Sequence, residues 1–458
     1  MSEALQPSAS AESAGAAADG TWAVPLVTPA FRSYALVVLM VVYTINFLDR
    51  SIVSILAEPI KDDLGISDTQ LGLLTGLAFG LVYCGFGLPI ARLADRFNRV
   101  HIISGCLALW SACTVLCGQA GSYATLVAAR MGVGVGEAGC TPTAHALIAD
   151  YTPKAQRASA LAFFSMGTPL GSLLGLAMGG IIADAYGWRA AFLIAGLPGL
   201  LLAAVCFFTL KEPRDALAEA ARKANQAAQT SFSETVRYLA RKRSFWFMAF
   251  GAAIKAFIGY GHAPFAASFF LRNHGPEIAQ LAGQFGLKPI GFMGLALGLM
   301  SGVFGTFSSW AGGYIADRFG GKDFRAYGSV PAVASLIVVP FYFLVYLADS
   351  AVTALLLMIP LHLMGSLWYG PVYASGQSLV PPNMRATSAS ILIFIINMVG
   401  LGGGALVVGA LSDWFNLGWG MGKSDGIRWA LITSGCFGVV AAGLFTMARR
   451  QIREEMVS

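Results

Sequence analysis

The sequence predicts an all-α polytopic membrane protein: twelve transmembrane helices in two pseudo-symmetric six-helix bundles, with both termini cytoplasmic. Three observations predict it. First, 56% of the 458 residues are hydrophobic and only 12% are charged, against about 25% charged in a soluble domain, and the mean hydropathy is +0.66. So little charge cannot cover a water-facing surface of this size, which excludes an ordinary soluble enzyme, a disordered chain and a nucleic-acid-binding domain. Second, twelve apolar runs each approach the roughly 20 residues that cross a bilayer. Third, the two halves of the chain repeat one another.

The runs lie near 33–59, 69–91, 100–119, 123–149, 157–183, 188–210, 244–271, 290–315, 325–347, 351–379, 386–412 and 427–448. Residues 1–32 are rich in Ala, Ser and Gly, without a basic start or an apolar stretch of signal-peptide type, and are expected to be a disordered cytoplasmic tail. The first bundle is expected over 33–210, a cytoplasmic linker over 211–243, the second bundle over 244–450 and a short cytoplasmic tail over 451–458. With inside termini, 21 basic residues face the cytoplasm and six the other side, leaving three within spans. That bias sets the orientation. The linker carries eight basic and four acidic residues and reads as a solvated connector with an interfacial helix.

The repeat shows in the loops. LADRFNR (93–99) follows the second run and IADRFGG (315–321) the eighth; QRAS (156–159) opens the fifth and MRATS (384–388) the eleventh. Asp184 and Asp413 close the fifth and eleventh runs. A duplicated six-helix unit follows, with substrate handled between the halves. Each Asp-Arg pair sits where a helix leaves the membrane. Its carboxylate can face a helix N-terminus while the arginines reach to the other half. Asp95, Arg96, Arg99, Arg157, Asp317, Arg318 and Arg385 are therefore the expected cytoplasmic gate, closed when the cavity opens outward. These loops resemble the signature of the major facilitator superfamily, with Ala91 in place of the pattern's opening glycine, Asn98 in place of a later glycine and Gly321 where an arginine is usual.

An ionisable group at membrane depth costs at least ~2.5–3.5 kcal/mol on insertion scales and is a functional candidate. The first run holds Asp49 and Arg50, the fourth Arg130 and Glu137, the seventh Lys255. Arg130 and Glu137 are seven apart, almost two turns, on one helix face. Glycines 132, 134 and 136 between them admit a close neighbour. The four charges of the first half can form a neutral buried cluster. Glu137 is the expected proton carrier; Asp49 positions Arg50 and has a secondary protonation role. Burial favours a neutral acid and a nearby guanidinium favours the carboxylate, so helix movement and protonation are linked. Lys255 either meets an anionic group or Glu137, or lays its stem along the helix with its amine in a cavity. Asn46, Tyr260, His262 and Asn397 either line the cavity or hold helices together; His145 and His362 are expected to be packing residues. Glu58, Asp184 and Asp413 lie near span ends, within reach of interfacial water. The seven cysteines fall in apolar runs without metal-ligand spacing, and no nucleophile–base set or phosphate-cradling P-loop is present. Neither an enzyme nor an ATP-driven pump is expected, no cofactor or metal is required, and a monomer suffices.

NFLDRS (46–51), LADRFNR, RMGVGVGEAG (130–139), ALIADY (146–151) and QRASA (156–160) together resemble the spinster family of that superfamily. The resemblance implies a lysolipid or sphingolipid transporter, with Asp49, Arg50, Arg130 and Glu137 serving ion coupling and head-group handling. The expected function is proton-coupled secondary transport of a lysophospholipid or sphingoid lipid by alternating access, in the plasma membrane (the inner membrane if the source is bacterial); the alternative is a symporter or exporter of small organic anions or drugs. The expected partners are the bilayer and the lipid substrate, with no nucleic acid.

Overall fold

The computed structural model describes residues 28–153, 156–213, 232–320 and 323–456, with the side chains of Leu88, Asp95, Ala158, Asp317, Pro382 and Ala386 outside that description. Most of the expected N-terminal tail, most of the linker and the last two residues also lie outside it. All regular structure among the described residues is helical.

In the first half, α1 (Pro29–Ile55) starts four residues before the apolar run, because Thr28 accepts a hydrogen bond from Phe31 N and Pro29 opens the helix. A short α2 (Ala57–Leu64) follows. Next, α3 (Asp68–Gly72) continues through a π turn (Leu73–Leu77) into α4 (Ala78–Arg96). Then come α5 (Arg99–Gly118), α6 (Tyr123–Ala138), α7 (Cys140–Tyr151), α8 (Arg157–Ser165), α9 (Gly167–Tyr186) and α10 (Trp188–Thr209). The linker's described end forms α11 (Phe232–Ala240), which buries Thr235 and Leu239.

The second half comprises α12 (Arg243–Asn273), α13 (Gly275–Gln284), α14 (Pro289–Leu299), a π turn (Met300–Gly305), α15 (Thr306–Gly320), α16 (Ala326–Tyr346), α17 (Ala351–Gly365), α18 (Tyr369–Ser378), α19 (Arg385–Asp413), α20 (Gly422–Gly435) and α21 (Phe437–Glu455). The expected C-terminal tail is instead helical to Glu455. That carboxylate accepts bonds from the Arg243 and Ser244 N–H groups and caps α12.

Ten helical segments among the described residues are long and apolar enough to cross a bilayer. The two remaining expected spans are helical but differ in kind. Run 123–149 is split at Gly139, where an added Cβ would lie 2.5 Å from Cys106 Sγ. Run 244–271 is α12, 31 residues and about 46 Å long, whose apolar character is diluted by Lys255 and His262.

The bundles meet along α9–α14 and along α3–α19, and the close approach is lost toward one end of each helix pair. A Cβ at Gly294 would sit 2.1 Å from Leu176 O, at Gly298 3.1 Å from Leu173 O and at Gly302 3.4 Å from Pro169 O, while at Gly305 nothing lies within 4 Å. The other seam behaves alike: 2.2 Å from Ala405 O at Gly72, 3.1 Å from Leu401 O at Gly76, and nothing within 4 Å at Gly85 and Gly87. The bundles therefore touch at the face away from the linker and diverge toward the linker face.

Candidate functional site

Three residues of α1, at positions 46, 49 and 50, share one helix face by their spacing. Asn46 and Asp49 are fully buried. Close passage of α6 completes the site: an added Cβ at Gly136 would collide with Cys106 O and the Trp110 backbone at 2.8 Å. Glu137, with no exposure, accepts a 2.5 Å bond from Arg50 Nε. The Arg50 side chain keeps 14% exposure, so one end of the pair is reachable from the cavity. Its guanidinium also lies over the rings of Tyr83 (4.5 Å), Phe47 (5.3 Å) and Phe79 (5.3 Å). Phe79 holds a second cation, Arg130, 5.1 Å from its centroid. One fully buried ring thus faces two guanidiniums and offsets part of their desolvation.

Asp49 does not pair with its neighbour Arg50, as adjacency in sequence implied. Its Oδ2 accepts from the Thr114 hydroxyl at 3.1 Å, and its backbone carbonyl accepts from Arg130 Nη1 at 3.4 Å. Consecutive helical residues point about 100° apart, so Asp49 turns toward α5 while Arg50 turns toward α6. Asp49 Oδ1, Glu137 Oε1, Arg130 Nε and both amide atoms of Asn46 are buried without a hydrogen-bond partner among the described residues. A polar cluster with this much unused capacity is costly for stability alone.

The second half contributes less charge. Lys255 on α12 is 5% exposed and forms no ion pair among the described residues, Glu137 included. Tyr260 is half-buried within electrostatic reach of Arg50. Asn397 is half-buried on α19. His262 is not a ligand-facing residue: one ring nitrogen bonds Ser434 Oγ at 2.9 Å, the other Tyr346 Oη at 3.2 Å, and Tyr342 packs edge-on. Its nitrogens are used inside its own bundle.

Among the described residues, no ion pair of the expected linker-face gate joins the two bundles. Arg96 and Arg385 are exposed; Arg318 bonds Tyr314 Oη one turn away, and Arg157 donates to Thr152 O of its own half. The Asp95 and Asp317 side chains lie outside the description. Arg99 is a correction: it is buried, clamped by Asp150 at 2.6 Å and Glu212 at 2.5 Å, and ties α5 to the end of its own bundle.

Charge does cross between the bundles at the face away from the linker. Arg272, ending α12, bonds Glu58 at 2.5 Å and both carboxylate oxygens of Asp68 at 2.8 Å. Asp68 also takes Lys61 Nζ at 2.5 Å and Ser412 Oγ at 2.6 Å. Asp413 accepts from Asp68 N (3.2 Å) and Thr69 N (2.7 Å), the opening of α3 in the other half. Its repeat mate Asp184 accepts from Gly291 N at 2.6 Å, in the first turn of α14 in the other half. Each repeat therefore caps a helix of its partner. The echo of Asp184 and Asp413 was visible in sequence, but their position near span ends concealed what they bind. Asp68, Lys61, Arg272 and Ser412 carried no span-interior signal at all.

Comparison with known proteins fits this architecture. The profile of the Major Facilitator Superfamily matches residues 39–405. The structure superposes on the crystal structure of a bacterial homologue of the human lysosomal transporter Spinster, in an inward-facing and unoccupied conformation, with a TM-score of 0.82 and 30% identity, covering 94% of this chain and 99% of that one. The chain belongs to the spinster family of the major facilitator superfamily. Sequence relatives of this spinster-family protein include an MFS-type efflux pump of Mycolicibacterium smegmatis, 33% identical over 386 residues (83% of this chain, 85% of the relative). Protein spinster homolog 1 of Xenopus tropicalis is 27% identical over 418 residues (89% and 79%). The chain is accordingly a polytopic membrane transporter.

Proposed function

We propose that this chain carries amphiphilic lipids of the lysophospholipid or sphingoid type by proton-coupled alternating access, as an inner-membrane monomer with twelve crossings and a cytoplasmic linker. The observation that carries the reading is the Arg50–Glu137 pair, a buried carboxylate bound to a cation that faces the cavity. Protonating Glu137 removes its charge and frees Arg50. The rings of Phe47, Phe79 and Tyr83 keep the freed guanidinium in place. An anionic head group can then take the position of the carboxylate, with Lys255 and Tyr260 on the opposite wall. Asp49, held by Thr114, anchors the cluster and has the secondary protonation role. The C-half wall is otherwise apolar and aromatic, with Tyr369 and Tyr373 stacked 6.2 Å apart, and suits a lipid tail.

Uptake into proteoliposomes tests this reading, with a panel of lysophospholipid, phosphorylated sphingoid base, short organic acid and a lipophilic drug, each with and without a pH gradient. The expected result is gradient-dependent accumulation of a lipid and none of the organic acid. Accumulation of the acid or of a drug alone favours the exporter reading that the Mycolicibacterium relative suggests. Lipid movement that ignores the gradient means passive scrambling.

A further inference from the structure

A cavity of about 630 Å³ opens between α15, α16, α17 and the end of α21, within the size range of small-molecule pockets. Its wall is apolar, and three of its side chains, Phe319, Val333 and Ile337, are 57%, 56% and 45% exposed. α16 packs against the second-half helices α15, α17, α18, α20 and α21, which puts these exposed apolar side chains on the outside of the bundle, toward the bilayer rather than the transport path. Two arginines, Arg325 and Arg449, line its linker-side end. Gly328 fixes their proximity: a Cβ there would lie 2.9 Å from Arg449 Cβ, so α16 and α21 touch at that level. Neither guanidinium has an ion-pair partner among the described residues. The nearby Asp323 carboxylate accepts the backbone N–H of Arg325. An apolar cleft with two guanidiniums at its polar end, neither ion-paired among the described residues, complements a phosphate head above an acyl chain.

We infer that this cleft binds an anionic diacyl glycerophospholipid of the surrounding bilayer, its phosphate on Arg325 and Arg449 and one acyl chain between α15 and α16. The occupant is a resident lipid, not cargo. The cleft is lined by second-half residues alone, whereas Arg50 and Glu137 lie in the first half.

Native mass spectrometry of the purified full-length chain, titrated with phosphatidylglycerol or phosphatidylcholine, tests the assignment. Two basic residues at the membrane surface give roughly a thirtyfold preference for the anionic lipid. The double variant Arg325→Gln/Arg449→Gln should bind both lipids about equally, while Arg96→Gln/Arg385→Gln, exposed arginines outside the cleft, should keep the preference. Val333→Trp, which fills the cleft from its exposed side, should weaken both lipids. Both altered arginines are exposed, and circular dichroism checks that the fold survives. A preference that persists in the double variant, or is absent from the wild type, overturns the inference. Displacement of phosphatidylglycerol by an equal concentration of lysophospholipid in the wild type but not in the double variant would make the cleft a cargo site and overturn it equally.

Discussion

Two buried charge clusters differ in what they join. Arg50, Glu137, Asp49 and Arg130 belong to one bundle, while Arg272, Glu58, Asp68 and Ser412 join the two bundles. A pair inside one bundle can change its protonation without any large movement. A clasp between bundles has to break whenever its own face, the one away from the linker, opens. The first is therefore suited to sensing protons and cargo, the second to setting which conformation is populated. The same contrast separates the two faces. The face away from the linker is closed by the clasp and two helix caps, while at the linker face no ion pair among the described residues joins the bundles.

The largest expected effect comes from splitting the inner pair. Arg50→Ala leaves Glu137 buried and unpaired, and removing one partner of a buried pair costs about 3–5 kcal/mol. Transport should fall to background and the thermal midpoint should drop. Wild-type uptake by this variant would erase the distinction drawn between the clusters.

Breaking the clasp should act differently. Arg272→Gln should shift the population away from the present conformation, with the linker-face separation shrinking in spin-label distance measurements. The coupling is about 1–3 kcal/mol, a factor of roughly 5–150. Asp95→Asn should bias the equilibrium the other way, toward the separated linker face. Shifts of the same sign in both variants would break the two-face comparison.

The caps are worth less. Asp413→Asn and Asp184→Asn should each weaken closure by about 1 kcal/mol, and by similar amounts because the repeats perform the same task. A large inequality would show that the two seams are not equivalent.

The smallest effect tests a cap within one bundle. Glu277 accepts the Ala351 and Val352 N–H groups and the Ser350 hydroxyl at the start of α17. The Ala351 N–H foremost, with the Ser350 hydroxyl, holds its carboxyl below the ordinary range. A depressed folded value means that this stabilisation is present above the unfolded value of about 4.3 and is lost as pH falls through the folded one. Glu277→Ala should cost about 0.5–1 kcal/mol near neutral pH, read in thermal melts, with the difference vanishing in acid and no change in the conformational equilibrium.

The fold was largely legible because its signals are periodic or repeated. Apolar runs, the Asp-Arg loops and the glycines of α6 each state a local requirement. The membrane-depth charges were legible one by one, since each lies in an otherwise apolar helix. Their pairing was not: sequence adjacency joined Asp49 to Arg50, and helical geometry sends them to different neighbours. Arg99 looked like a gate residue because it follows the Asp-Arg motif, yet its partners Asp150 and Glu212 are 51 and 113 residues away. The clasp was hidden for the same reason, because Arg272 and Asp68 are ordinary charges at helix ends until folding brings 204 residues of separation to 2.8 Å. His262 carried a polar signal that Ser434 and Tyr346 absorb entirely.

The central claim is that Glu137, through Arg50, links protonation to conformation. It is tested most directly with spin labels at Phe97 and Phe319, exposed linker-face positions on opposite bundles, followed across pH in wild type and Glu137→Gln alongside gradient-driven lipid uptake. The glutamine mimics the protonated acid. The distance distribution should respond to pH in the wild type and become nearly insensitive in the variant, which should no longer accumulate lipid although it can still bind it. A Glu137→Gln protein with the wild-type pH response and uptake rate would contradict the account.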